Sequence, residues 1–286
     1  MSYTVTWPYL KGLLDDTIDL SPGRTCIIGG SIHSYKSGLL CDLFYQITTS
    51  NRPSDVSKMG GAYFFTMEER AATVLERLYN RLADQVGLRY YAALSPQERA
   101  NEVPRHLTEP MLSKGWLTKL VSLQMFDTER AVDEILKIVD SDQNSGVPVR
   151  LVCVDGLWGA DNPETENQLP TLLHRLSKSL TKKNVLFITT HQFNYGAIKE
   201  QNTGKHDRQL LNYYHEHKPW SGGGREISRA FDMELFVDRT RVDGSPMDRL
   251  DLMVDSDTHV LPADLEKVTI TLEFDPSVGL ARNPKT

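Results

Sequence analysis

The sequence predicts an α/β fold with a mostly parallel central sheet and antiparallel strands added along one edge in its C-terminal part. Three observations carry this prediction. Apolar runs of strand character alternate with amphipathic helical stretches through most of the chain. The loop after the first of these runs has the residue pattern of a phosphate-binding turn, which needs a strand before it and a helix after it. After about residue 230 the helical stretches stop, and apolar runs are joined by turns alone.

The parallel strands are expected over 24–29, 61–66, 119–124, 149–155 and 184–190. From Glu68 to Gln85, residues Ala71, Val74, Leu75, Leu78 and Leu82 fall on one helical face, and Gly87 is a stop signal. From Leu169 onward, Leu172, Leu173, Leu176 and Leu180 repeat the pattern, with Pro170 read as tolerated near the helix start. The late strands are expected over 232–238, 248–254 and 267–274, with turns at Asp243-Gly244-Ser245-Pro246 and from His259 to Leu265. Two segments break the rhythm. Residues 88–118 read as an irregular helical excursion, and residues 195–229 as a polar insertion loop carrying Gly204, Tyr213, Tyr214, Trp220 and Ser221-Gly222-Gly223-Gly224. The whole of 1–286 is expected to be one domain, with 1–20 as an N-terminal extension.

The 286 residues suffice for one large α/β core. A net charge of −6 excludes a general nucleic-acid-binding surface and leaves a local basic patch, or an assembled ring or filament, as the route to DNA. Cys26, Cys41 and Cys153 are odd in number and contain no CxxC, so they read as core residues in a reducing compartment. No stretch has the length of a membrane span and no signal peptide opens the chain, which points to the cytoplasm and to no membrane partner.

The chemistry starts at Thr25-Cys26-Ile27-Ile28, which leads into Gly29-Gly30-Ser31-Ile32-His33-Ser34-Tyr35-Lys36-Ser37 and then an amphipathic stretch. In a phosphate-binding loop the backbone N–H groups of such a turn face the phosphates, a lysine neutralises the β/γ charge and the following hydroxyl reaches Mg²⁺. The next helix adds its positive N-terminal end. Gly30, Ser31, Ser34, Tyr35, Lys36 and Ser37 are therefore the candidate nucleotide contacts. Tyr35 stands where the pattern has glycine. Taken alone, the stretch reads equally well as an ordinary strand-loop-helix turn.

Later features favour the phosphate reading by their order. Arg150-Leu151-Val152-Cys153-Val154-Asp155-Gly156 is an apolar strand ending in an acid. Asp155 could simply open a turn, but placed about 120 residues after the loop lysine it reads as a Mg²⁺ partner. Tyr63-Phe64-Phe65-Thr66-Met67-Glu68-Glu69 is a second strand ending in acid. Glu68 could accept a proton from an attacking water, or both acids could merely favour the helix start through the dipole. Val185 to Asn194 is a third strand with polar residues at its end, where His191 or Gln192 could contact a γ-phosphate. Lys199, Lys205, Arg208, Lys218, Arg225 and Arg229 give the insertion local positive charge, and Tyr213, Tyr214 and Trp220 could stack bases. A solvated loop is the equally weighted alternative.

Together these motifs resemble the RecA-like P-loop ATPase core shared by DnaB-type replicative helicases and RecA-type recombinases. The likeness covers nearly all of 20–275, including Phe65-Thr66-Met67-Glu68, His191-Gln192-Phe193-Asn194 and the glycine-rich stretch before Ala230-Phe231-Asp232. The loop itself, with Ser34-Tyr35-Lys36-Ser37, is similar to that of UvsX-type phage recombinases. The resemblance implies a Mg²⁺- and ATP-dependent oligomer, a ring or filament, acting on single-stranded DNA in replication or recombination, with a partner protein, inside a bacterial cell or a phage-infected host. It implies that Lys36 and Ser37 hold phosphate and metal, Asp155 positions Mg²⁺, Glu68 orients water and His191 or Gln192 senses the γ-phosphate. DNA contacts fall to Lys205, Arg208, Lys218, Arg225 and Arg229.

The chain departs from that pattern in three places. Only some twenty residues precede the first strand, where the helicases carry an N-terminal domain and a linker helix. Met253-Val254-Asp255-Ser256-Asp257-Thr258 is acidic where the helicases place a lysine and an arginine finger, leaving Arg225, Arg239 and Arg241 as substitutes. Trp158 to Pro170 carries Asp161, Glu164 and Glu166, a poor DNA-facing loop. Two other readings therefore stand beside the helicase-type ATPase: a strand-exchange recombinase, and a catalytically weak regulatory or loader subunit.

Overall fold

A computed structural model describes residues 3–5, 18–31, 33–55, 58–157, 163–194, 208–218, 220, 224–242, 244–255 and 268–282. Its strands are β1 (Tyr3–Val5), β2 (Ile18–Leu20), β3 (Thr25–Gly30), β4 (Gly60–Thr66), β5 (Trp116–Ser122), β6 (Val149–Asp155), β7 (Leu186–Gln192), β8 (Met233–Thr240), β9 (Asp248–Asp255), β10 (Val268–Asp275) and β11 (Leu280–Arg282). Its helices are α1 (Lys36–Ser50), α2 (Ala71–Val86), α3 (Pro96–Ser113), α4 (Thr128–Asn144), α5 (Pro163–Lys182), α6 (Arg208–His217) and the single turn α7 (Arg225–Ser228).

Nine strands form one sheet in the order β11-β10-β9-β8-β3-β7-β6-β4-β5. The six strands from β8 to β5 are parallel. β9, β10 and β11 continue the sheet antiparallel, as the turn-linked late runs predict. The parallel topology brings the C-terminal ends of six strands to one rim, so Gly30, Thr66, Asp155, Gln192 and Thr240 end at the same edge. Loops on that rim are where open α/β sheets bind ligands.

The strands are unbroken apolar runs because both sheet faces are covered. Cys26 and Ile28 of β3, Phe64 of β4 and Cys153 of β6 join the core under α1, α2 and α3. Their neighbours Ile27, Phe65 and Val154 point the other way, into the core under α4, α5 and α6. The three cysteines are free thiols in these cores, as their apolar settings predict. Among the described residues no helix is long and apolar enough to cross a membrane.

Several boundaries differ from expectation for identifiable reasons. β5 spans Trp116–Ser122 rather than 119–124, because Trp116 is buried and its Nε1 donates to the Asn51 carbonyl at 2.8 Å, anchoring the strand start earlier. Residues 88–118 hold a regular helix, α3, rather than an irregular excursion. Ser95 and Glu98 form a reciprocal capping box at its start, and it continues through Pro104 and Pro110. Pro170 lies inside α5, since the helix begins at Pro163 rather than near Leu169. α4, capped by the Asp127 carboxylate on the Arg130 N–H, has no counterpart among the sequence-assigned helices. Within the stretch read as a polar insertion, Arg208–His217 is helical.

Candidate functional site

β3 ends at Gly30 and α1 begins at Lys36, so the loop between them sits on the ligand rim. Ile32 lies outside the described residues. Lys36 is buried, and its Nζ donates to the Ser31 carbonyl at 2.6 Å, folding back over its own loop. Ser37 Oγ donates to Asp155 Oδ1 at 2.9 Å, and Thr190 Oγ1 donates to the same oxygen at 2.7 Å. Glycine loop, strand-end acid and third strand thus meet at one point, although Ser37 and Asp155 stand 118 residues apart.

Asp155 is fully buried, and its Oδ2 has no hydrogen-bond partner among the described residues. Burial pushes its carboxyl above the usual carboxylate range, while the hydrogen bonds from Thr190 and Ser37 and the charges of Arg77 and Lys36 pull it back. An unsatisfied buried carboxylate oxygen is costly unless something polar reaches it. A Mg²⁺ ion arriving with phosphate fits this donor set of one hydroxyl and one carboxylate, since such ions keep water and phosphate as most of their ligands. Among the described residues no group of three His, Cys, Asp or Glu could hold a metal by itself.

The start of α1 has no side-chain cap and no acid in its first turn. Its first N–H groups therefore lack a side-chain acceptor, and such groups with the helix dipole favour an anion. Tyr35 occupies the helix N-cap with φ 77°, the left-handed conformation that explains the glycine of the usual pattern. A non-glycine residue there costs about 1–2 kcal/mol. Ser34 Oγ is buried in the same loop with no partner among the described residues.

A cleft of about 430 Å³ opens over this loop, lined by His33, Ser34, Tyr35, Lys36, Ser37, Glu68, Glu69, Arg77, Gln192, Arg239, Phe274 and Gly279. Glu68 is exposed at its mouth, beyond the end of β4. Its side chain passes over Gly156, where an added Cβ would lie 2.5 Å from Glu68 Cγ, so the glycine after Asp155 makes room for it. Glu69 also lines the cleft but is tied to Arg77 at 2.6 Å. Of the two strand-end candidates on β7, Gln192 lines the cleft. His191 is buried on the opposite side of the strand, 5.9 Å from Trp220 between ring centres. Strand alternation separates the two.

Arg77, Arg239 and Phe274 reach the cleft without having been singled out for it. Arg239 Nε donates to Asp248 Oδ2 at 2.7 Å, and its Nη1 donates to the His33 carbonyl at 3.4 Å. Its guanidinium lies 4.4 Å from the centre of the Phe274 ring. These contacts follow from β8 pairing beside β3, a neighbour relation that separations of about 200 residues conceal.

Most of the expected DNA contacts are not gathered on one surface. Lys218 is buried and ion-paired with Glu234, which withdraws it from any phosphate in this conformation. Tyr214 and Trp220 are buried as well, packed with Phe193 and Phe236. Neither presents a face for base stacking. Arg225 and Arg229 are exposed at α7, and Arg208 opens α6. Lys205, like Lys199 and Gly204, lies outside the described residues. Asp255 ends β9, and 256–258 of the acidic stretch also lie outside.

Residues 5–247 match the family described as divergent DnaB-like ATPases. The chain belongs to that family. None of the curated proteins matches its sequence. Among solved structures, an ATPase domain studied on its own superposes with a TM-score of 0.61 at 11% identity, over 100% of this chain and 92% of that one. A DnaB-like replicative helicase, solved with its interactions with primase, gives a TM-score of 0.64 at 12% identity. This chain is covered in full and spans 64% of that one. At such identities the likeness shows the fold: a RecA-like core of DnaB type. The divergent DnaB-like sequence keeps the loop lysine, the hydroxyl after it and the strand-end aspartate together at the rim, although its loop glycine is a tyrosine.

One solution property follows from the burial of Lys36. Desolvation brings its ammonium down to about 8, against the raising influence of Glu68 and Asp155. Below that pH the lysine is already charged, and an incoming phosphate finds it ready. Above it the free protein has lost the proton, and a bound phosphate restores it. Affinity for Mg-ATP should hold up to about pH 8 and then fall, approaching ~10-fold per pH unit. Calorimetry at pH 9 in two buffers of different ionisation enthalpy should show proton uptake on binding that is absent at pH 7. Equal enthalpies in both buffers at pH 9 would contradict this role for Lys36.

Proposed function

We propose that this chain binds and hydrolyses Mg-ATP as an oligomeric, helicase-type ATPase of DNA replication acting on single-stranded DNA. The observation that carries the reading is the convergence of Lys36, Ser37 and Asp155 at the rim, beside an uncapped helix start. In the proposed reaction Lys36 leaves the Ser31 carbonyl for the phosphates, and the loop and α1 N–H groups bind the phosphate oxygens. Ser37 and Asp155 would hold Mg²⁺, which supplies neutralising charge on the β- and γ-phosphates. A water oxygen attacks the γ-phosphorus in line with the bond to ADP, that bond breaks, and Glu68 takes the proton the water gives up. Gln192, on the cleft wall, is placed to hydrogen-bond a γ-phosphate oxygen. The apolar wall of Phe274 with the Arg239 guanidinium on it offers a flat surface suited to a base.

A second reading has its own support. β9 ends on Asp255, acidic where helicases of this kind carry cations, so a catalytically weak subunit that regulates or loads a partner stands beside the motor. Exposed Arg225 and Arg229 remain the described candidates for DNA phosphate contacts. ATPase rate measured against protein concentration, with and without single-stranded DNA, separates the two. The motor reading expects a rate per chain that rises with concentration as an oligomer forms and rises again with DNA. A slow rate, flat in both, favours the regulatory subunit.

A further inference from the structure

The tyrosine in the phosphate loop is bonded into the fold on three sides. An added Cβ at Gly38, in the first turn of α1, would lie 2.1 Å from the Tyr35 ring, so the ring rests directly on that glycine. The same ring packs against Phe274 of β10, with centres 4.8 Å apart. The Tyr35 hydroxyl donates to Asp42 Oδ2 at 2.9 Å. Asp42 is itself held by Arg81 of α2, whose Nε and Nη2 donate to its two oxygens at 2.6 and 2.5 Å. Arg81 is 1% exposed and Asp42 3%, and both Arg81 Nη groups donate onward to the Ala281 carbonyl of β11 at 3.3 Å. A continuous set of bonds thus runs from the phosphate loop through α1 and α2 to the C-terminal edge hairpin.

We infer that Tyr35 is a positioning residue, which presets the phosphate loop for nucleotide by seating its ring on Gly38 and Phe274 and its hydroxyl on the buried Asp42–Arg81 pair. The inference rests on the nucleotide-binding reading of the cleft. A glycine at this position reaches the left-handed conformation freely but leaves it as freely. Tyr35 reaches the same conformation at a conformational cost and is then held there, so less ordering remains to be done when a ligand binds. The large ring is compatible with the loop only because residue 38 is glycine. The two positions act as a pair.

Amide hydrogen exchange of the ligand-free full chain tests this without nucleotide. Relative to wild type, Tyr35→Gly should speed exchange at Ser34 to Ser37 by ~10-fold or more, and Tyr35→Phe, which keeps the ring and loses the hydroxyl bond, by a few-fold. Mg-ATP titrations should then show Kd rising in the same order, with the melting temperature of Tyr35→Phe close to wild type. Gly38→Ala should weaken binding in the wild-type background and do so much less in the Tyr35→Gly background, where the clash is gone. Unchanged exchange at 34–37 in both variants, or tighter binding by Tyr35→Gly, would overturn the inference. If wild type binds no nucleotide, the proposed function fails while the exchange result still decides whether Tyr35 anchors the loop.

Discussion

Glu68→Gln should leave Mg-ATP binding within about two-fold of wild type and lower single-turnover hydrolysis by ~100-fold or more, the usual range for losing a positioned proton acceptor. Glu68 lies at the cleft mouth, beside Lys36 and over Gly156, and the substitution removes a proton-accepting oxygen while keeping the shape. Its neighbour makes the natural control. Glu69 is engaged with Arg77 at 2.6 Å, so Glu69→Gln loosens that pair and should lower the rate far less. Hydrolysis rates measured with radiolabelled ATP and excess enzyme separate chemistry from binding. Unchanged hydrolysis in Glu68→Gln would return this residue to an ordinary helix-start acid, and a larger loss in Glu69→Gln would move the base one residue along.

The parts of this site that were legible in the sequence are those set by strands buried on both faces. β6 was expected over 149–155 and is found at Val149–Asp155, because such a strand shows as an unbroken apolar run that stops where the rim begins. The acid or glycine at each stop then marks the ligand edge, which is how Gly30, Glu68, Asp155 and Gln192 could be placed there. Residues that reach the cleft across the sheet were not legible in this way. Arg239 and Phe274 arrive from β8 and β10, and nothing local tells that β8 lies next to β3. The polar stretch 195–229 misled in the opposite direction. Its aromatic residues looked exposed because their neighbours are polar, yet Tyr214 and Trp220 fill the core beside Phe236. Lys218 looked like a free cation because its partner Glu234 lies in a later strand. Tyr35 read as a flaw in the loop motif, and its support from Asp42, Arg81 and Phe274 could be seen only once α1, α2 and β10 were brought together.

Lys36→Ala should produce the largest loss of all. The ammonium is the cation inside the phosphate loop itself, buried, and held at 2.6 Å on the Ser31 carbonyl it must leave for the ligand. A charge-assisted contact of this kind contributes about 1.5–3 kcal/mol, and a triphosphate engages it more than once, so a loss of at least ~100-fold in affinity is expected. Folding should survive, since removing the ammonium also removes the need to bury a charge. Circular dichroism and the melting temperature check that point before any titration is read.

The central claim, that this rim is a Mg-nucleotide site built on Lys36, Ser37 and Asp155, is tested most directly by equilibrium titration of ATP into the full chain. Four conditions suffice: wild type with Mg²⁺, wild type with EDTA, Lys36→Ala with Mg²⁺ and Asp155→Asn with Mg²⁺. Saturable binding to wild type that weakens strongly without Mg²⁺, nearly vanishes in Lys36→Ala and falls in Asp155→Asn to the level of wild type in EDTA is the predicted result. Equal affinity in all four, or no binding by folded wild type, would contradict it.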